Sequence, residues 1–249
     1  MKLAVVTSSE YSFASLLLSE TWPINVKPIL ILNKARSRSM NRFFKKIIKI
    51  GPIGALFGYL SRKWYKLEYD SVVRIAQHKN IAVYYVTNFR PSTVLKNILS
   101  DYDIGISMGN GYIPRQFFTI FKYGMINIHH EVLPQFAGAQ SVLWPLIERK
   151  SETGYSIHFI SEKIDKGDIV VCEKRPIVYK SSLGKTVWHN YSISVRMSVN
   201  ATMKLIRMPI TEWKRVNNDN ETVFTTPTFT NWIRAYKNFN QLKNKNGTI

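Results

Sequence analysis

The chain has 249 residues, 45% of them hydrophobic, which is enough for one ordinary core and a small appendage. Its 35 Lys and Arg against 16 Asp and Glu give a formal net charge of +19, which favours anionic partners: nucleic acid, a membrane surface or phosphorylated substrates. The single cysteine, Cys172, excludes an internal disulfide and a cysteine cluster for a metal, and we predict no bound metal.

The first residues and the apolar runs argue against secretion and membrane insertion. The start, MKLAVVTSS, has one Lys and a short apolar run with no cleavage-site pattern after it, so we interpret it as a buried strand. No stretch reaches the uninterrupted apolar length that a spanning helix needs. We therefore expect a cytoplasmic protein.

The first half of the chain alternates short apolar runs with helix-length segments. The predicted strands are rich in β-branched or aromatic residues and cover residues 3–7, 26–32, 81–86, 104–108 and 125–129. Amphipathic segments lie between them, for example at 69–78 and 91–99. This alternation predicts an α/β fold with a doubly wound, mainly parallel sheet, whose ligands bind beyond the carboxyl ends of the strands. The first strand is not followed by a Gly-x-Gly-x-x-Gly fingerprint, which disfavours a dinucleotide.

A basic insertion follows the second strand, at residues 33–70. Between residues 34 and 66 there are ten Lys or Arg and no Asp or Glu, and the segment predicts two amphipathic helices broken at Gly51-Pro52. Such a segment can bind nucleic acid or lie on an anionic bilayer. We favour the inner face of the membrane, because many large apolar residues accompany the cations. The alternative is that this face packs on the chain's own core or on a dimer partner.

The predicted strand at residues 125–129 ends in two side chains that suit acyl transfer. Asn127 and His129 are two residues apart, so they share one face of the strand. An amide can donate to a developing oxyanion, and an imidazole can carry a proton near neutral pH. Hydrogen-bonded structural roles are the alternative for this pair. We assign structural roles to His158 and His189.

The pattern of apolar and polar residues changes after Gly154. Residues 155–160 and 168–178 alternate apolar and polar side chains and predict antiparallel strands joined by a turn. A helix is predicted at 186–205, and the last ten residues are interpreted as a frayed tail. We therefore predict a catalytic domain at 1–178 and an appendage at 179–249.

Residues 126–170 carry several spaced elements in one order. They are Asn127-x-His129, Leu133-Pro134 with Gly138, Thr153-Gly154, and Asp165-Lys166-Gly167-Asp168-Ile169. This pattern closely resembles the signature of the folate-dependent formyltransferases, a family with a Rossmann-like catalytic domain. The family includes methionyl-tRNA formyltransferase, glycinamide ribonucleotide formyltransferase and bacterial sugar N-formyltransferases.

The resemblance implies a role for each matching residue. Asn127 would donate to the formyl oxygen of 10-formyltetrahydrofolate and to its oxyanion. His129 would act as a general acid or electrostatic partner. Asp165 would set the charge of His129 and accept the proton that the attacking amine loses, through water. The implied folate pocket lies at residues 108–117 and is lined largely by backbone groups, with Met108 among its residues. Tyr112, Ile113 and Pro114 would bracket the pterin, and the backbone near Lys163 and Ile164 would complete the pocket.

Two positions depart from the family pattern. Glu131 stands where Ser is usual, and Ala137 stands where Arg or Lys is usual. The Glu131 carboxylate would lie near the acceptor entrance and could receive the ammonium of an amino sugar, and a solvated loop charge is the alternative.

The acceptor implied by the resemblance is a small molecule. Residues 176–249 leave little room for the β-barrel domain of the transfer-RNA enzyme. We expect the amino group of a nucleotide-linked amino sugar, for surface polysaccharide synthesis. The alternatives are a methionyl-tRNA formyltransferase-like enzyme, a formyltetrahydrofolate hydrolase, and a basic binding module without enzymatic activity.

Overall fold

The strands of the protein form one large sheet and one small ladder. The computed structural model describes residues 1–34, 40–139, 141–218 and 222–246, with the backbone alone at 40–47 and 245–246. The strands within these described residues are β1 (Lys2–Thr7), β2 (Lys27–Lys34), β3 (Val83–Thr87), β4 (Ile104–Met108), β5 (Met125–His129), β6 (Ala137–Gly138), β7 (Glu152–Phe159), β8 (Ile169–Pro176) and β9 (Val223–Phe224).

Seven of these strands make the sheet in the order β3-β2-β1-β4-β5-β7-β8. The first five in this order are parallel, while β7 and β8 are antiparallel to their neighbours. The short strands β6 and β9 pair with each other. The predicted doubly wound, mainly parallel sheet is confirmed, and so is the antiparallel pair after Gly154.

The helices cover both faces of the sheet. They are α1 (Ala14–Ser19), α2 (Met40–Glu68), α3 (Val72–His78), α4 (Thr93–Ser100), α5 (Arg115–Phe118), α6 (Leu143–Ile147), α7 (Leu183–Leu205) and α8 (Phe229–Asn246), with a 3-10 turn at Ile210–Glu212. Ser71, Ser92 and Ser182 cap α3, α4 and α7 by accepting from a backbone N–H three residues on. These caps explain why the three helices begin two or three residues away from the predicted starts.

Alternation along β1 divides the core into two layers. Leu3 and Val5 pack with α1, α3 and α7 on one face, while Ala4 and Val6 pack with α4 and α5 on the other. Burying each large apolar side chain stabilises the fold by roughly 1.5–3 kcal/mol. A strand buried on both faces reads as a continuous apolar run, which is why β1 and β4 could be predicted.

The basic insertion forms the long helix α2, which is kinked at the predicted break. Gly51 has φ 67° and ψ −179°, and Pro52 follows it. A side chain at Gly51 would be strained in this conformation, and its Cβ would lie 2.8 Å from Cδ2 of Phe229 on α8. The kink therefore lets α2 approach α8 closely.

One side of α2 packs on the chain's own core, as the alternative interpretation held. Phe57 contacts Trp188 of α7 and Trp232 of α8, with ring centroids 5.7 and 4.7 Å apart. The other side leaves Ile48 81% exposed, and Leu56 and other apolar residues are exposed as well. The side chains of Arg42, Lys45 and Lys46 lie outside the described residues, and bilayer binding stays a prediction. No described helix is both long and apolar enough to cross a membrane.

The predicted frayed tail at 240–249 is wrong up to Asn246, because α8 continues to that residue, and the earlier turns of α8 have a buried face. Trp232, Ala235 and Phe239 pack in a core cluster with α6. Asn238 Nδ2 donates to the carbonyl oxygens of Leu146 and Ile147, at 3.1 and 2.9 Å. Residues 247–249 lie outside the described residues. The division at residue 178 stays a prediction, and α7 packs in the same core as the sheet.

Candidate active site

A cavity of about 660 Å³ opens at the carboxyl ends of the strands, where the sheet topology predicts a ligand site. One end is formed by the loop after β4 and by the turn between β7 and β8. The end of β5 lies in its wall, and residues from α2, α7 and β9 line the rest.

Asn127 and His129 both line this cavity, as their spacing on β5 predicts. Asp165 lines it too, although it lies in the turn after β7. The Asn127 Nδ2 atom is 3.4 Å from Oδ1 of Asp165, and Nδ1 of His129 is 3.6 Å from Oδ2 of Asp165. The structure therefore brings the three residues of the motif together around one carboxylate.

The hydrogen bonds of His129 define its proton positions. Its Nε2 lies 2.8 Å from the carbonyl oxygen of Phe136, and because a carbonyl only accepts, Nε2 carries a hydrogen. Burial lowers the pKa of His129 below its usual 6.5, although Asp165 and the Phe136 carbonyl raise it. The imidazole is therefore neutral near pH 7, with a lone pair on the Nδ1 atom that faces Asp165.

The Asp165 carboxylate is held in place by the backbone around it. Asp165 has φ 50°, the Gly138 N–H donates to its Oδ2 at 2.8 Å, and Asn218 Nδ2 donates to its carbonyl oxygen at 2.8 Å. Burial raises its pKa, but His129, His158 and the Gly138 N–H outweigh burial and lower the pKa to about 2. Asp165 is thus ionised at neutral pH.

His158 belongs to this cluster and was assigned a purely structural role from the sequence. It faces Asn127 across the antiparallel β5–β7 pair. Its Nδ1 donates to the Phe159 carbonyl oxygen at 2.8 Å, and its Nε2 lies 3.3 Å from Oδ1 of Asp165. The signal that could have found it is the strand pairing itself, which places residue 158 opposite residue 127. Asn218 carried no comparable sequence signal.

Glu131 does not face the cavity, which corrects its predicted contact with the acceptor. Its side chain is buried, at 2% exposure. The carboxylate accepts from Thr153 Oγ1 and from the backbone N–H groups of Val132 and Val142. Burial raises the pKa of Glu131 to about 7 against the lowering effect of these donors. Glu131 therefore joins the end of β5 to α6 and β7.

Four of the six predicted folate-pocket residues line one end of the cavity: Tyr112, Ile113, Lys163 and Ile164. The side chain of Met108 is 0% exposed and packs in the core, because its position on β4 points it into the sheet layer. Pro114 caps α5 and is outside the lining. These two predictions are corrected.

The β6–β9 ladder brings a segment from far along the chain to the cavity. Gly138 has φ 108°, and a Cβ there would lie 2.0 Å from the carbonyl oxygen of Phe224, so only glycine permits this approach. Phe224 and Thr225 then line the cavity beside Asp165.

Comparison with known proteins finds similarity to formyl transferases. Residues 94–188 match the family model described as "Formyl transferase". A methionyl-tRNA formyltransferase of Fusobacterium nucleatum is 30% identical over 115 residues, which are 45% of this chain and 37% of that enzyme. The matched part thus spans little more than a third of the relative's own length.

Solved structures of similar fold include two formyltransferases. WlaRD, a sugar 3N-formyl transferase solved with dTDP and 5-N-formyl-THF, has a TM-score of 0.62 at 18% identity, covering 95% of this chain and 79% of that chain. An N-formyltransferase from Helicobacter canadensis, solved with folinic acid and dTDP-3-aminofucose, has a TM-score of 0.57 at 16% identity, covering 95% and 80%. Residues 94–188 thus match a formyl transferase domain, and the chain as a whole has the fold of solved formyltransferases.

Proposed function

We propose that the protein transfers a formyl group from 10-formyltetrahydrofolate to a primary amine. The observation that carries this proposal is the convergence of Asn127, His129 and Asp165 on one wall of the cavity. A neutral amine that attacks a formamide carbon creates an oxyanion and an ammonium together. The site must therefore stabilise the first and deprotonate the second, and these three side chains supply both functions.

Asn127 stabilises the oxyanion. As the amine nitrogen bonds to the formyl carbon, the carbonyl oxygen gains the negative charge, and one Asn127 Nδ2–H donates to it. The other N–H stays on Nε2 of His158 at 3.2 Å and orients the amide, while the longer contact with Asp165, at 3.4 Å, is exchanged for the oxyanion. A donor that is already oriented costs little reorganisation as the charge develops.

His129 carries the proton. Because its pKa is lowered and its Nε2–H is bound to Phe136, the Nδ1 lone pair takes the proton that the amine loses. Asp165, with a pKa of about 2, is too weak a base for this step. Its negative charge instead stabilises the imidazolium. The proton then passes to the leaving nitrogen as its bond to the formyl carbon breaks. This assignment moves the base role from Asp165, where the resemblance put it, to His129.

The folate co-substrate fits the end of the cavity formed by the loop after β4 and the β7–β8 turn. Backbone groups at Gly109, Asn110 and Gly111 and the side chains of Ile113 and Ile164 offer a mixed polar and apolar surface to a flat heteroaromatic ring. Two solved relatives by fold are named as complexes with 5-N-formyl-THF and folinic acid, which supports this choice.

The acceptor that we propose is the amino group of a nucleotide-linked amino sugar, for surface polysaccharide synthesis. The relative from Helicobacter canadensis was solved with dTDP-3-aminofucose. A methionyl-tRNA acceptor is the second candidate, favoured by the Fusobacterium nucleatum relative and by the net charge of +19. Hydrolysis of formyltetrahydrofolate by the same residues is the third.

One assay separates the three reactions. The protein is incubated with 10-formyltetrahydrofolate and with nucleotide-linked amino sugars, methionyl-tRNA or no acceptor, and the acceptor mass and released formate are measured. We expect the mass of an amino sugar to increase by one formyl group. Formate release alone would indicate the hydrolase, and the absence of transfer to every amine would contradict the proposal.

A further inference from the structure

A continuous row of aromatic rings lines the cavity beside the end of β5. It lies where α1, β5, α2 and α7 meet, and the centroids of neighbouring rings are 4.4 to 6.2 Å apart. The rings in spatial order are Phe13, His130, Tyr191, Trp64, Trp188 and Phe57, and we call them the aromatic wall.

Two elements supply most of this wall. The inserted helix α2 contributes Phe57 and Trp64, and α7 contributes Trp188 and Tyr191. The rings of Trp64 and Trp188 are nearly parallel, with 5° between their planes. These four rings are partly exposed, so they present apolar surface to the cavity.

Two polar atoms of the wall have no hydrogen-bond partner in the described structure. They are Nε2 of His130 and Nε1 of Trp188, and both are buried. His130 is 5% exposed, and burial lowers its pKa to about 3, so its ring is neutral. Buried polar atoms usually find a partner, so these two need an explanation. Two hydroxyl groups of a ligand would satisfy them, one accepting from Trp188 and the other hydrogen-bonded to His130.

The charges of the residues that line the cavity indicate which class of ligand the aromatic wall can bind. Among the described residues that line the cavity, Lys163 is the single Lys or Arg, and it lies beside Asp165 at the folate end. The aromatic wall itself offers a ligand no cation. It therefore suits an uncharged ring that combines apolar faces with hydroxyl groups, and it suits a phosphate poorly.

We infer that the aromatic wall binds the carbohydrate ring of the acceptor, stacked against Trp64 and Trp188 with a hydroxyl hydrogen-bonded at His130. This inference rests on the proposed function, because a bound ring next to His129 presents its amine to the formyl carbon. His129 and His130 both line the cavity, so the wall adjoins the proposed reaction site. The inserted helix α2 is then part of the acceptor site.

Steady-state kinetics with dTDP-3-aminofucose and other nucleotide-linked amino sugars test this inference. We expect Trp64→Leu and His130→Phe to raise KM for the accepted sugar about tenfold, because each removes one ring or one polar contact. The KM for 10-formyltetrahydrofolate should stay unchanged. Trp64→Phe keeps a stacking face and should recover most of the affinity. Trp22→Leu, outside the cavity lining, is the matched control and should leave the sugar KM unchanged.

A binding measurement keeps the test valid if a variant folds poorly. Titration of the wild-type protein with the same sugar, without folate, should change tryptophan fluorescence, and Trp64→Phe and Trp188→Phe should each reduce the change. Transfer to methionyl-tRNA or to linear amines only would overturn the inference and leave the proposed function standing. An unchanged sugar KM in Trp64→Leu would overturn it equally. The absence of transfer to any amine would contradict the proposed function itself.

Discussion

At the scale of single residues, burial and neighbouring charges set the protonation states of Asp165 and His129. Asp165 is half-buried yet ionised, because two histidines and one backbone N–H face it. His129 is buried and neutral, because burial outweighs that same carboxylate. The neutral imidazole of His129 can therefore accept a proton, and the ionised carboxylate of Asp165 stabilises the imidazolium that forms.

This proton arrangement predicts the pH dependence of catalysis. The neutral form of His129 is the active one, and its pKa is lowered, so kcat should fall only below pH 6.5. Asp165 raises the pKa of His129, so Asp165→Asn should move this acidic limb to still lower pH and reduce kcat about 10²-fold. Rate profiles of both proteins check this. A limb that moves to higher pH in the variant would refute the assignment of His129 as the base.

The raised pKa of the buried Glu131 carboxyl should make the stability of the protein depend on pH. Its pKa is raised from 4.5 to about 7 by burial, so the folded state binds more protons than the unfolded state between these values. Its contribution to stability is complete below pH 4.5 and is lost as the pH rises through about 7. The free energy of unfolding of the wild type relative to Glu131→Gln should fall over this window, as measured by denaturation in urea. A constant difference would contradict the burial of this carboxylate.

At the scale of elements, local patterns predicted the strands and the break in the insertion. β1, β4 and β5 follow from apolar runs between turn residues, and the kink follows from Gly51-Pro52. The side of α2 that packs inward could not be predicted, since Phe57 and Trp64 meet α7 more than a hundred residues along the chain. The role of His158 could not be predicted for a similar reason, because the pairing of β5 with β7 places it beside Asn127.

The kink in α2 predicts opposite effects for two glycines of one helix. Gly51→Ala should destabilise the protein by at least about 1 kcal/mol, because a left-handed residue gains a Cβ next to Phe229. Gly58→Ala meets nothing within 4 Å and should stabilise the helix by up to about 1 kcal/mol. Thermal unfolding of both variants is the measurement. Equal effects of the two changes would mean that the kink is absent.

The exposed side of α2 carries the bilayer prediction. Its cations and its exposed apolar residues, Ile48 among them, should bind anionic vesicles, with each cation contributing about 1 kcal/mol at low salt. Lys49→Glu with Lys63→Glu should weaken sedimentation with such vesicles. The control, Lys27→Glu with Lys96→Glu, should leave it unchanged. Protein that remains in the supernatant with anionic vesicles at low salt would exclude this role for the helix.

At the scale of the whole molecule, the net charge and the cavity have different characters. The chain carries a charge of +19, yet a single Lys or Arg occurs among the described residues of the cavity lining. The charge therefore acts on the outer surface, where it attracts anionic partners. The motif at residues 126–170 predicted the cluster of Asn127, His129 and Asp165, while composition could not predict an aromatic wall assembled from α2 and α7.

Single-turnover formyl transfer by Asn127→Ala tests most directly whether Asn127 stabilises the oxyanion. The enzyme, in excess over 10-formyltetrahydrofolate, is mixed with a saturating amino-sugar acceptor, and the formylated product is followed over time. Loss of the oxyanion donor should slow the transfer about 10²- to 10³-fold, with the melting temperature nearly unchanged. Asn97→Ala, on the exposed surface of α4, should react like the wild type. Transfer at the wild-type rate by folded Asn127→Ala protein would contradict the account.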